Sequence, residues 1–140
     1  MLFYTKFYTK VVVMQEYKLR EDDFLVSQTD EKGNILFAND DFCKVSGYTL
    51  AELVGKPHNI VRHPDMPRAA FESLWDSVLH DRVWDGYVKN RTKEGGYYWV
   101  YATVYPIYDK VRKVKTYLSC RRKPSSREIE EAQELYKTLR

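Results

Sequence analysis

The chain has 140 residues, enough for one domain and a modest tail. Its 44% hydrophobic and 15% aromatic residues exclude a disordered chain, and a net charge of +3 is too small to argue for nucleic acid. Two distant cysteines, Cys43 and Cys120, with no Cys-x-x-Cys pair fit a reducing cytoplasm and not a disulfide scaffold.

At the start, a tandem Phe-Tyr-Thr-Lys within residues 1–10 has lysines that interrupt any apolar run. Val11-Val12-Val13 is too short for a bilayer span or a signal core, so no direct membrane insertion is expected. Met14 is an alternative start, which would make the first thirteen residues an upstream extension.

Residues 24–29 read as a strand, Asp30-Glu31-Lys32-Gly33-Asn34 as a turn, and residues 35–38 as a second strand, together a hairpin. Asn39 stops that strand and can cap a helix from Asp40, with Phe42, Val45 and Tyr48 on its apolar face and Gly47 at its end. Thr49-Leu50-Ala51-Glu52 is a capping-box signature for another short helix, closed by Gly55. Phe71, Leu74, Trp75, Val78 and Leu79 recur at helical spacing, with Pro67 suited to the first turn.

Three strands follow, over 83–92, 97–108 and 113–122; Pro106 marks a bulge or an edge in the second. The basic run Arg121-Arg122-Lys123 reads as a solvated strand end. Pro124 breaks the sheet. Ser125-Ser126-Arg127-Glu128 opens a terminal helix with an apolar stripe of Ile129, Ala132, Leu135, Tyr136 and Leu139. Short turns between the last three strands imply an antiparallel sheet, and the segregation of strands from helices implies an α+β fold. The expected divisions are an N-terminal extension over 1–21, a domain over 22–123 and a helix over 124–140.

The densest polar stretch is Pro57-His58-Asn59-Ile60-Val61-Arg62-His63-Pro64-Asp65-Met66-Pro67. Its prolines stiffen the backbone and push their predecessors into extended conformations. A stiff loop carrying Arg, His and Asp looks like a prearranged ligand site.

These motifs together resemble a PAS domain, most closely the flavin-binding PAS domains of bacterial aerotaxis-receptor (Aer-type) proteins. The general part is Asn39-Asp40-Asp41-Phe42 with Val45-Ser46-Gly47-Tyr48. Trp84-Asp85-Gly86 and Tyr98-Trp99-Val100 carry the resemblance as well, and the more specific part is Arg62-His63-Pro64-Asp65-Met66-Pro67 followed by Val88-Lys89-Asn90-Arg91. The resemblance covers about residues 22 to 123. It implies a five-stranded antiparallel sheet flanked by short helices, holding non-covalent FAD whose redox state reports on respiration. It further implies a cytoplasmic energy-taxis sensor, membrane-associated only through a receptor. The signalling partner would be a methyl-accepting-type chemotaxis protein on a separate chain, since this sequence stops at Arg140. A homodimer stands beside that as a second arrangement, and enzymatic activity is not implied.

A flavin site needs apolar walls, a few donors and acceptors for the ring edge, and positive charge for phosphate. Arg62 can supply charge or pair with Asp65; His63 can bond the cofactor or brace Asp65; Asp65 can organise both or accept from the ligand. Asn39 and Asn90 carry the donor and acceptor that a ring edge requires. Asn39 is more often a helix cap, and Asn90 sits mid-strand, where Asn is disfavoured. Trp75 and Trp84 can wall a ring, although Trp75 on a helical stripe is first a core residue. His58 can line the pocket or brace the backbone.

Two rival chemistries compete with a redox flavin. Light-sensing flavin PAS domains use a cysteine in an Asn-Cys-Arg-Phe-type motif, but the equivalent stretch here is Asn59-Ile60-Val61-Arg62-His63, and Cys43 lies on an earlier helix. Haem is the alternative cofactor, with His58, His63 and His80 as axial candidates. No histidine has metal-site spacing to Cys43 or Cys120, and no nucleophile–base pair or phosphate loop is present. The remaining alternative is a cofactor-free PAS interaction module.

Overall fold

A computed structural model describes residues 15–139; the expectations for the Phe-Tyr-Thr-Lys repeat, Val11-Val12-Val13 and Met14 fall outside the described residues. The elements in chain order are β1 (Leu25–Thr29), β2 (Ile35–Ala38), α1 (Asp40–Ser46), α2 (Leu50–Leu53), a 3-10 turn (His58–Val61), α3 (Arg68–Leu79), β3 (Trp84–Arg91), β4 (Tyr97–Asp109), β5 (Val114–Arg122) and α4 (Ser126–Thr138).

The local signals act where the sequence places them. Asn39 caps α1 by accepting from Phe42 N, and Gly47 ends it at φ 83°, a left-handed conformation that glycine adopts without Cβ strain. Both capping boxes are complete, Thr49 with Glu52 and Ser125 with Glu128. The proline-rich stretch differs from the extended loop expected of it. It contains one 3-10 turn, which begins directly after Pro57 because proline needs no N–H at a helix start.

The five strands form one antiparallel sheet in the order β2-β1-β5-β4-β3, so the first and last strands of the chain are neighbours in its middle. Pro106 pairs with Tyr117 of β5 in regular register. Strand β3 has ended opposite Val104, so Pro106 sits where β4 has a neighbour on one side only, the edge position that tolerates a missing N–H.

Strand pleating assigns alternate residues to two faces. One face carries Leu25, Ser27, Val88, Val100, Ala102 and Tyr117, all buried, and α1 to α3 cover it. Phe42, Leu53, Val61 and Val78 complete that core with essentially no exposure, each worth roughly 1.5–3 kcal/mol of apolar burial. The opposite face carries Tyr87 and Trp99, and α4 packs there, with Tyr136 stacked on Trp99 at 6.3 Å. Residues 15–21 also lie against the domain: Tyr17 N donates to Tyr97 O at 2.8 Å, and Leu19 is buried.

The stripe expected on α4 divides. Ala132 and Tyr136 are buried and Ile129 is half-buried, whereas Leu135 and Leu139 stay exposed.

Candidate functional site

Between the inner sheet face and the helices lies a cavity of about 250 Å³. Its walls are mainly apolar: Phe71, Leu74 and Trp75 from α3, Trp84 and Val88 from β3, and Ala102 and Val104 from β4. Trp84 is fixed by its Nε1–H donating to Ser73 Oγ at 3.2 Å. A Cβ on Gly86 would come within 2.6 Å of the Trp84 ring, so glycine is what lets that indole lie flat along β3. Trp75 packs edge-on to Tyr117 at 5.6 Å and against Gly33, which turns the β1–β2 hairpin at φ +84°.

Polar side chains line the rest of the cavity, from Thr29, Lys32, His58, Asn59, Arg62, Asn90, Ser119 and Arg121. Asn90 is 3% exposed, and its Nδ2 has no hydrogen-bond partner; the same is true of Ser119 Oγ at 6% exposure. Unpaired buried polar atoms are uncommon; of the five among the described residues, Asn90 Nδ2, Ser119 Oγ and Arg62 Nε belong to residues that line the cavity, and Tyr98 Oη and Trp99 Nε1 to residues that do not. Arg62 lies on the wall formed by the proline-rich stretch. Its guanidinium carbon sits 3.4 Å from the centroid of the Phe71 ring, and its Nε is buried without a partner. Burial, and then the neighbouring Arg68, hold its pKa below the ordinary arginine value.

Arg121 is the largest buried polar group. Its Nη1 donates to Ser27 Oγ at 3.0 Å and its Nη2 to His58 Nε2 at 2.9 Å. A guanidinium has no acceptor, so His58 Nε2 must accept, and the ring carries its proton on Nδ1. Burial, and then the Arg121 charge, push the His58 pKa down to about 3, and burial lowers that of Arg121 to about 10.

Of the residues expected at the site, Arg62, His58, Asn90, Trp75 and Trp84 line the cavity together. Three do not line it. Asn39 uses its amide in the hairpin and helix cap: Oδ1 accepts from Val26 N and Phe42 N, and Nδ2 donates to Phe24 O. His63 Nδ1 accepts from Asp65 N at 3.0 Å, and Asp65 Oδ2 pairs with Lys89 Nζ at 2.8 Å. Lys89 neighbours Asn90 in β3 but points to the other face of the sheet, so this cluster braces the loop against the strand end.

Sequence reading missed Arg121 by grouping it with Arg122 and Lys123 as a solvated run. Arg122 and Lys123 are exposed and Arg121 is 6% exposed. The overlooked signal was the strand period: Tyr117, Ser119 and Arg121 share one face of β5. His80 is exposed, with Nδ1 bonded to Asp76 O at 2.7 Å. Cys43 is half-buried and reduced, and burial raises its thiol pKa.

Comparisons with known proteins agree with this architecture. The PAS fold family matches residues 35–120. The aerotaxis receptor of Escherichia coli is 46% identical over 91% of this chain, which spans 25% of that receptor. The nitrogen fixation regulatory protein of Klebsiella oxytoca is 30% identical over 69% of the chain, which covers 20% of it. Among solved structures, the dark-state LOV domain of the blue-light photoreceptor Aureochrome1 superposes with a TM-score of 0.68 at 17% identity, covering 83% of this chain and 85% of that one. A light-oxygen-voltage domain from work with a flavin analogue superposes with a TM-score of 0.67 at 20% identity, over 81% and 84%. At these identities the superpositions speak for the fold alone. No helix among the described residues is long and apolar enough to cross a membrane. A PAS-family match across the cavity-bearing segment, with the long aerotaxis-receptor alignment, places the chain in the PAS family as a domain of the aerotaxis-receptor type.

Proposed function

We propose that this domain holds FAD non-covalently in the cavity and acts as a redox sensor. Its signal would pass to a chemotaxis protein on another chain, with the domain itself resident in the cytoplasm. The observation that carries the reading is an aromatic-walled cavity with buried polar groups, Asn90 Nδ2 and Ser119 Oγ, that lack partners. A flavin supplies reversible electron uptake on a flat ring whose edge alternates N–H and C=O, which is what such a wall can recognise. Asn90 and Ser119 would bond that edge. Trp84 and Phe71 would wall the ring, and Arg62 would meet the phosphates. His63, Asp65 and Lys89 would hold the loop that carries Arg62.

Flavin is favoured over haem by the histidines. His58 Nε2 is engaged by Arg121 and lies 2.9 Å from Ser27 Oγ, His63 Nδ1 is engaged by the Asp65 amide, and His80 is exposed on the C-cap of α3. The names of two similar proteins agree with a sensory role: one is an aerotaxis receptor and another a regulator of nitrogen fixation. The absorption spectrum of freshly purified protein is the test. A two-band flavin spectrum that bleaches on reduction supports the proposal. A Soret band means haem, and a spectrum with neither means a cofactor-free interaction module. Arg62→Ala and Asn90→Leu should each lower flavin content without unfolding the domain.

A further inference from the structure

The net charge of the chain sits on one hairpin. Residues 107–116 hold four of the 23 cationic residues, Lys110, Arg112, Lys113 and Lys115, and one of the 20 acidic ones, Asp109. The other 130 residues therefore balance at 19 of each, and the formal +3 belongs to this segment. The same segment projects from the sheet. Strand β3 ends opposite Val104 and β1 ends opposite Tyr117, so the rungs Ile107–Thr116, Tyr108–Lys115 and Asp109–Val114 form a two-stranded arm. Lys115 is held by Asp81, and Arg112 lies 3.9 Å from Asp109. Among the described residues, no ion pair includes Lys110 or Lys113.

The tip is apolar as well as basic. Val111 is 92% exposed, and Val114, Tyr108 and Ile107 on the three rungs behind it are exposed too. The loop is built to hold Val111 there: Asp109 Oδ1 accepts from Val111 N at 2.9 Å and from Arg112 N at 3.0 Å. Lys113 takes φ 57°, a left-handed conformation that glycine would adopt without Cβ strain. Cations alone would read as a device that keeps a projecting hairpin soluble. An aliphatic side chain fixed at the apex works against solubility.

We infer that this tip docks on an anionic lipid surface, with Val111 entering the headgroup layer and Lys110, Arg112 and Lys113 meeting lipid phosphates. The layering matches that surface: an apolar side chain foremost, cations flanking it, and Tyr108, an aromatic ring with a polar end, behind them. The contact lies on the bilayer and is reversible, since one valine and three cations bind far less tightly than a lipid anchor. Nothing in it depends on what the cavity holds.

The test is co-sedimentation of the full chain, at low salt, with vesicles of equal parts phosphatidylcholine and phosphatidylglycerol, against phosphatidylcholine alone. Wild type should bind the mixed vesicles only, and should come off as added salt screens the charges. Lys110→Gln with Lys113→Gln should weaken binding about 25-fold, at roughly fivefold per cation beside such a surface. Val111→Asp should abolish it. All three side chains are exposed, so the melting temperature should stay at the wild-type level. Absent binding to the mixed vesicles, equal binding to both kinds, or binding that these variants keep at full strength overturns the proposal. Retention on immobilised polyglutamate in place of the vesicles would give the tip to an acidic protein and overturn it as well.

Discussion

The hydroxyl of Tyr136 donates to the main-chain carbonyl of Tyr87 at 2.5 Å, tying the last helix to the strand that walls the cavity. Glu128, one of the capping-box residues of α4, also bonds the Tyr87 hydroxyl. One residue of β3 therefore anchors both halves of the helix. Tyr87 lies between Gly86, whose environment is the Trp84 ring, and Val88, which lines the cavity.

Tyr136→Phe should loosen α4 while sparing the core. It removes one half-buried hydrogen bond and keeps the ring on Trp99, so the expected loss is ~1 kcal/mol. Denaturant unfolding measures the loss, and amide exchange across residues 126–138 should speed up selectively. Unchanged exchange there would mean that packing on Trp99 alone holds the helix.

Asn39→Ala separates a cap from a ligand contact. Three hydrogen bonds depend on this amide, and loss of a helix cap alone typically costs ~1–2 kcal/mol. The melting temperature should fall while flavin content per folded molecule stays at the wild-type level. A normal melting temperature with an empty cavity would instead make Asn39 a cofactor contact.

Much of the fold was legible because its signals are local. Thr49 with Glu52, Ser125 with Glu128, and Gly47 each specify a terminus within a few residues, and each acts as read. The site was legible in part. Asn90 stood out because an amide in mid-strand runs against strand propensity, and it is buried against the cavity. His63 and Asp65 share the loop with Arg62 but project elsewhere, since neighbours on an irregular segment need not share a direction. Arg121 was obscured by its exposed basic neighbours. Its burial depends on β5 lying between β1 and β4, a non-local pairing that composition does not reveal.

Acid should destabilise the domain through His58. Its folded pKa, near 3, lies below its unfolded value of about 6.5, so in that interval the unfolded chain binds more protons. Stability is then full above about pH 6.5 and is lost as pH falls toward 3, by at most ~5 kcal/mol if the shift is fully expressed. His58→Gln should be less stable at pH 7 but show a flatter decline between pH ~6.5 and ~4. Parallel pH profiles for the two proteins would assign the acid limb to other groups.

The final expectation concerns how a ligand change reaches the surface. The cavity-lining residues Val88 and Asn90 alternate along β3 with Tyr87, which faces α4. Arg121 lies on β5 four residues before Ser125, the N-cap of the same helix. Two strands that line the cavity thus lead to α4 by separate routes, one through the Tyr87–Tyr136 hydrogen bond and one through the chain itself. A charge gained on a bound flavin would pull on Arg121 and reorder the donors offered by Asn90. The coupling expected between such sites is ~1–3 kcal/mol, enough to change helix opening by about 5- to 150-fold. Leu135 and Leu139 are already exposed, so a modest release of α4 would join them to Ile129, Ala132 and Tyr136 as one apolar surface for a partner. Hydrogen exchange on oxidised and reduced protein measures this directly. Faster or slower exchange over 126–138 on reduction, suppressed in Tyr136→Phe, supports the strand route. Identical protection in both redox states would place the output elsewhere on the sheet.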